Sequence, residues 1–198
     1  FSSYLQQFWD KFLSKTKTML ILSGSLVGLM LKNVLGNNSP LYGRRTAEIF
    51  LEEFKIDHVK EFLNRPLEET IKFFSVLGGI PKYLELVKED FNHFLSNILD
   101  KRSFFYREGF YLMTEEFNDI STYSNILKAI ADGKTKLSEI ADYSGLDGKK
   151  ISAYLDILEN LGFIRGLTPI TREEKKFRGK LYLINDSFLE FWFKFINE

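Results

Sequence analysis

Apolar residues recur at helical spacing along most of the chain, and this pattern predicts a largely α-helical protein. The first such run, residues 5–13, predicts an amphipathic helix. Residues 18–22 form a short apolar run that ends in Ser23-Gly24-Ser25. Because this run is apolar on both sides, it predicts a strand in the middle of a parallel sheet covered by helices. Residues 47–54 are the other strand candidate nearby.

A single central strand cannot form a sheet, because its backbone groups would be buried and unpaired. The sequence also begins with Phe1 rather than methionine. We therefore expect that the first half of this domain is missing and that the sequence is a fragment. On this interpretation residues 1–56 are the C-terminal remnant of an α/β nucleotide-binding core.

Residues 57–120 predict a small, all-helical subdomain that is dense in phenylalanine. Gly78-Gly79 ends one of its helices, and Pro81 suits the first turn of the next, where an amide has no helical partner. The predicted helices are residues 59–63, 67–77, 81–89, 91–100 and 108–117.

Residues 121–186 predict a winged helix. Helical periodicity at 123–130, 137–141 and 151–158 is followed by two strand-like runs, residues 163–167 and 181–184. A helix, a helix-turn-helix and then a β-hairpin is the order of winged-helix domains. The apolar residues 187–198 predict a helix that starts a further domain or packs back on this one, in preference to a membrane contact.

The fold class that follows is mainly α with a small β component. It combines the remnant of an α/β P-loop ATPase core, a helical lid subdomain and a winged helix-turn-helix domain.

Composition excludes several kinds of site. The 198 residues contain no cysteine, so disulfides and thiolate metal sites are excluded. The two histidines, His58 and His93, are isolated from each other, which argues against a metal centre or histidine-based catalysis. No apolar stretch reaches the ~20 residues that cross a bilayer. We expect a soluble, cytoplasmic protein without a metal or a membrane partner.

The balance of 27 basic and 27 acidic residues hides a local excess of positive charge. Residues 162–180 hold six Lys or Arg and only two Glu, so the hairpin predicts a wing that contacts DNA phosphates. Asp156 and Glu159 on the third helix would repel DNA, and a winged helix used only for packing is the alternative. The candidate nucleic-acid-binding residues are Lys149, Lys150, Arg172, Lys175, Lys176 and Arg178.

Two segments have residue types suited to nucleotide phosphate. Ser23 and Ser25 follow the predicted strand, at the edge where ligands of open α/β sheets bind. Arg44 and Arg45 could clamp a phosphate or act at a subunit interface. The alternatives are a helix N-cap at Ser25 and surface ion pairs between the arginines and Glu48.

Several segments, taken in order, resemble the archaeal ATPase family in the STAND branch of the AAA+ class. The similarity spans nearly the whole chain, and the order of the motifs is more specific than any one of them. The matching segments are residues 20–25, 39–45, 78–84, 138–141, 151–155 and 188–193.

The resemblance implies roles for these residues. Ser23 or Ser25 would be the sensor beside the γ-phosphate, and Gly78, Gly79 and Pro81 would form a lid element near adenine and ribose. Arg44 and Arg45 would act at phosphate or at a subunit interface. The Walker A and Walker B motifs of the family are absent, so ATP and Mg²⁺ are expected cofactors of an intact parent only. This chain is expected to bind ATP weakly and not to hydrolyse it.

The expected function is a nucleotide-dependent switch whose winged helix binds DNA or a protein partner. The alternative is a non-enzymatic winged-helix regulator that binds DNA. A third possibility is a structural piece whose winged helix mediates self-association into a homo-oligomer.

Overall fold

A computed structural model of the chain describes residues 1–24, 34, 36–168 and 179–197. The chain divides into two compact units, residues 1–51 and residues 52–198. The helices of the predicted lid, the winged helix and the last helix all belong to the second unit.

The first unit contains helix α1 (Ser2–Lys11) and a 3-10 turn at Leu13–Lys15. No residue of α1 is buried, and its Tyr4 is 80% exposed. Residues 18–24 form neither helix nor strand, and Ile21 is 79% exposed, so the predicted buried strand at 18–22 is wrong. A strand needs a hydrogen-bonding neighbour, and the described residues supply none for this segment. Residues 47–54 are not a strand either.

The second unit begins with five helices. Asp90 caps the fourth by accepting hydrogen bonds from the Asn92 and His93 amides, and Ser103 caps the fifth in the same way. The third is shorter than the predicted 81–89, because i→i+3 hydrogen bonds at residues 86 and 87 close it into a turn. The five helices are α2 (Ile56–Leu63), α3 (Leu67–Leu77), α4 (Pro81–Glu85), α5 (Phe91–Ile98) and α6 (Phe104–Glu116).

The winged helix follows in the predicted order. It comprises α7 (Ile120–Ala131), α8 (Leu137–Ser144), α9 (Gly148–Asn160), β1 (Ile164–Leu167) and β2 (Leu181–Ile184). The two strands are antiparallel, with Ile164 opposite Ile184 and Leu167 opposite Leu181. The fold class is confirmed as mainly helical, with a small two-stranded sheet and a winged helix-turn-helix.

The last helix, α10 (Ser187–Phe195), packs back onto the second unit. It contacts α3, α6 and α7, and it buries Phe188, Leu189, Trp192 and Phe193. The indole N–H of Trp192 donates a hydrogen bond to the Tyr106 carbonyl on α6 (2.8 Å). The aromatic run that closes the sequence therefore belongs to the core of this unit. Among the described residues, no helix has the length and apolarity to cross a bilayer.

The core of the second unit joins the helical part to α10 through aromatic rings. The Phe188 ring lies 4.9 Å from that of Tyr83 and 5.8 Å from that of Phe105. Phe105 in turn meets Phe94 edge to face at 5.5 Å. These side chains are buried, so one continuous core runs through the helical part and α10.

Candidate nucleic-acid interface

The helix-turn-helix consists of α8, a tight turn and α9. Gly145 ends α8 with a positive φ of 68°, a conformation that glycine adopts without steric cost. The amide of Leu146 then donates to the Ala141 carbonyl, and Asp147 accepts hydrogen bonds from the Lys149 and Lys150 amides at the start of α9. This turn fixes the direction in which α9 leaves α8.

Helix α9 has one buried side and one exposed side. Ile151, Leu155 and Leu158 are fully buried in the core. Lys149 and Lys150 are exposed in the first turn, and no described residue pairs with the Lys149 ammonium group. The Lys150 ammonium lies 3.8 Å from the Asp147 carboxylate. The exposed side of α9 thus begins with two cations, although Asp147 places a negative charge beside them.

The base of the hairpin is fixed on two sides. Besides pairing with β1, β2 pairs with the segment before α8, where the Tyr182 amide donates to the Thr135 carbonyl (2.8 Å). The Asn185 amide donates to the Phe163 carbonyl (2.9 Å). The first bond holds the hairpin to the segment before α8 through the backbone, and the second joins the two ends of the hairpin.

Glu159 connects α9 to both strands. Its Oε1 accepts a hydrogen bond from the Gly166 amide on β1 (3.1 Å), and its Oε2 lies 2.5 Å from the ammonium of Lys180, just before β2. Burial alone would lower the pKa of Lys180, but the hydrogen bond and charge of Glu159 outweigh it and raise that pKa. The repulsion of DNA that the sequence suggested for Glu159 is therefore offset by a partner within the protein.

Gly166 leaves room for this contact. A Cβ atom at position 166 would lie 1.7 Å from Cε of Lys180, so any other residue would displace the lysine side chain. Sequence reasoning missed the group of Glu159, Gly166 and Lys180. The two charged residues are 21 positions apart and meet only through the hairpin, so no local signal marks them.

The predicted DNA-binding residues divide into two groups. Lys149 and Lys150 lie together on the exposed start of α9. Arg172, Lys175, Lys176 and Arg178 lie outside the described residues, so their role stays a prediction.

Arg44 and Arg45, the arginines that were predicted to bind phosphate, are both paired with carboxylates of the first unit. Arg44 binds Asp10 through two hydrogen bonds of 2.8 and 2.7 Å, and Arg45 lies 2.5 Å from Glu48. The hydrogen bond to Arg44 lowers the pKa of the exposed Asp10 carboxyl. Ser23 is exposed outside any helix or strand, and Ser25 lies outside the described residues.

The predicted lid glycines are buried against the segment that precedes α2. The Phe54 amide donates to the Gly79 carbonyl (2.9 Å), and the Gly79 amide donates to the Glu53 carboxylate (3.0 Å). A Cβ atom at position 79 would lie 2.0 Å from the Phe54 carbonyl oxygen, so Gly79 permits close contact between two backbones. Pro81 is exposed at the start of α4. The contact of these residues with adenine and ribose stays a prediction.

No group of three or more metal-binding side chains occurs within the described ranges.

Two comparisons with known proteins bear on this site. A family model described as "Bacterial regulatory protein, arsR family" matches residues 121–165, which run from α7 to β1. The chain is 39% identical over 196 residues to a protein of Methanocaldococcus jannaschii named "Uncharacterized protein MJECL04". That alignment covers 98% of this chain but 44% of the relative. No solved structure matches.

Neither the family description nor the name of the relative refers to ATP, so membership of the archaeal ATPase family stays a prediction. The family match covers the three helices of the winged helix and the start of its first strand. Residues 121–165 are therefore a winged helix-turn-helix domain of the ArsR family.

Proposed function

We propose that this protein is a DNA-binding regulator that uses its winged helix to bind duplex DNA. The observation that carries the proposal is α9, which is the second helix of a helix-turn-helix of the ArsR type and exposes Lys149 and Lys150. In helix-turn-helix proteins the second helix of the motif enters the major groove and the surrounding residues contact the backbone. Helix α9 occupies that position in the motif.

Phosphate contacts supply most of the affinity in this proposal. Lys149 and Lys150 would neutralise phosphates next to the groove, and the basic hairpin would contact the backbone on one side of α9. The exposed side of α9 also carries Ala153 and Asp156, which offer few hydrogen bonds to base edges. We therefore infer binding with modest sequence preference, dominated by charge.

The test is salt-dependent binding to a labelled duplex, measured by fluorescence anisotropy. Removing two phosphate contacts with Lys149→Ala plus Lys150→Ala lowers affinity by about tenfold at low salt and reduces the slope of log affinity against log salt by about two. A matched control, Lys72→Ala plus Lys82→Ala, removes the same charge from exposed positions on α3 and α4. Its affinity stays within about twofold of wild type.

Two results would contradict the proposal. Absence of binding at low salt would remove it, and equal weakening by both double variants would show that only net charge matters. Light scattering on the same samples separates DNA binding from the self-association of the winged helix.

We also propose that a longer parent protein couples this DNA binding to ATP. The ground for this proposal is the resemblance of the motif order to archaeal ATPases. The chain covers 44% of its Methanocaldococcus jannaschii relative, so the relative has the length for a further domain. The test is titration of that full-length relative with Mg-ATP, with the present chain as control. Binding by the relative and not by this chain supports the coupling, and no binding by either removes it.

A further inference from the structure

A single carboxylate links the proposed recognition helix to both strands of the wing. Glu159 lies in the last turn of α9, Gly166 is on β1 and Lys180 immediately precedes β2. The Glu159 carboxylate uses one oxygen for each partner, at 3.1 and 2.5 Å. The side chains of Lys180 and Glu159 are 34% and 32% exposed, so the pair is only partly open to water.

The Glu159–Lys180 ion pair keeps the Lys180 ammonium occupied within the protein. Because its ammonium is engaged by Glu159, and lies 5.4 Å from the centre of the Tyr182 ring, Lys180 is held within the protein. The ion pair is partly shielded from water, and its carboxylate also accepts a backbone hydrogen bond. It therefore restricts the movement of the two strands more than a fully exposed ion pair does.

We propose that Glu159 is a positioning residue that holds the wing at the angle at which the wing and α9 contact the same duplex. This inference rests on the proposed DNA binding. Lys180 acts as the partner of Glu159, and Gly166 provides the space through which the lysine reaches it. An acidic residue on a DNA-binding helix thus promotes binding instead of opposing it.

The sign of one substitution separates this role from simple electrostatics. Glu159→Ala removes a negative charge beside the DNA, so charge alone predicts tighter binding. If Glu159 positions the wing, the same substitution lowers the affinity by about five- to tenfold. The slope of log affinity against log salt falls by about one or two, because phosphate contacts are lost. Both quantities come from anisotropy titrations at several salt concentrations.

Asp156→Ala is the matched control. Asp156 is exposed three residues before Glu159 on the same helix, makes no hydrogen bond to a described residue, and adds a charge interaction with Lys180. Its removal changes net charge equally, so affinity stays equal or rises by about two- to threefold with an unchanged salt slope. The exchanged pair, Glu159→Lys with Lys180→Glu, keeps the net charge of wild type and can re-form the ion pair. It cannot accept the Gly166 hydrogen bond, because an ammonium group has no acceptor, so it restores only the share of the affinity that depends on the ion pair.

Circular dichroism at the binding temperature confirms that each variant is folded, and hydrogen exchange at the Gly166 amide reports the contact without DNA. Faster exchange in Glu159→Ala together with weaker, less salt-dependent binding supports the proposal. Tighter or unchanged binding with an unchanged slope overturns it while leaving the DNA-binding function intact. If wild type does not bind duplex DNA, the proposed function falls, and the positioning role falls with it.

Discussion

At the scale of single residues, Asp186 carries a carboxyl group whose pKa is strongly displaced. It caps α10 by accepting a hydrogen bond from the Leu189 amide (2.9 Å). Burial raises the pKa of Asp186 to about 6, and the backbone hydrogen bond from Leu189 opposes that rise only in part. The nearby charge of Glu53, which is bound to the Gly79 amide, adds to the increase. Asp186 therefore titrates in a range where ordinary aspartates are already ionised.

This pKa predicts how stability changes with pH. The folded state holds the Asp186 proton more tightly than the unfolded state, whose pKa is about 3.9. The free energy of unfolding therefore decreases as pH rises from about 4 to about 6, and the loss is complete above that range. Asparagine caps helices as well as aspartate does, so Asp186→Asn stabilises the protein at pH 7.5 by about 1–2 kcal/mol.

Urea unfolding at pH 4.5 and pH 7.5 measures this effect. The variant gains stability over wild type at the higher pH and about a third as much at the lower one. An equal difference between the two proteins at both pH values would show that the proton on Asp186 is not responsible. Asp186→Ala, which loses the cap, distinguishes the capping contribution from the charge.

At the scale of helices, the contact between α6 and α10 depends on Gly109. A Cβ atom at this position would lie 2.2 Å from the Trp192 ring, and Trp192 is buried. The indole N–H of the same ring bonds to the Tyr106 carbonyl one turn earlier in α6, so the ring cannot shift without losing that bond. A glycine inside a helix normally costs stability, and here it permits the close approach of the aromatic ring.

Gly109→Ala is therefore expected to destabilise the protein although alanine favours helices. Overpacking of this kind costs about 1–3 kcal/mol, which urea unfolding resolves. Gly148→Ala is the control, because a Cβ atom there meets nothing within 4 Å and the position lies at the start of α9. If Gly109→Ala proves as stable as wild type, the backbone accommodates the methyl group and the contact is not tight.

At the scale of the whole molecule, the second unit has a hydrophobic core of its own. The core cluster runs from Val59 to Ile196, so all of its members among the described residues belong to the second unit. Its members come from the helical part, the winged helix and α10 alike. A unit that buries its own apolar surface is expected to fold independently.

Deletion of residues 1–51 tests this independence. The shortened chain unfolds in a single cooperative transition, retains its helical circular dichroism signal and binds duplex DNA within about twofold of the full chain. Glu53 and Phe54 must be kept, because both bond to Gly79. A shortened chain with no cooperative transition would show that the first 51 residues are required for folding.

Much of the second unit could be predicted from periodicity and turn residues. Helix α3 was expected at residues 67–77 and is found there, because its apolar spacing and the glycine that follows are local features. The order of the winged helix was predicted for the same reason. The strand expected at residues 18–22 was wrong, because an apolar run indicates a tendency to be buried and says nothing about hydrogen-bonding partners.

Only the basic residues of the candidate site could be predicted from the sequence. Lys149 and Lys150 were identified as basic residues on a predicted helix, and both are exposed on α9. The contact of Glu159 with Lys180 depends on how the hairpin folds back over the helix. The contact of Gly109 with Trp192 joins residues that are 83 positions apart in sequence. Contacts of this kind arise from tertiary structure, which periodicity does not encode.

A short connection joins the hairpin of the winged helix to α10. Only Asn185 and Asp186 separate β2 from α10. Asn185 is bonded to Gly162 and Phe163, and Asp186 caps the helix. The hairpin is thus joined closely at this end to α10, which packs against α3, α6 and α7. A displacement of α10 would therefore be passed directly to β2, because only two hydrogen-bonded residues separate the two elements.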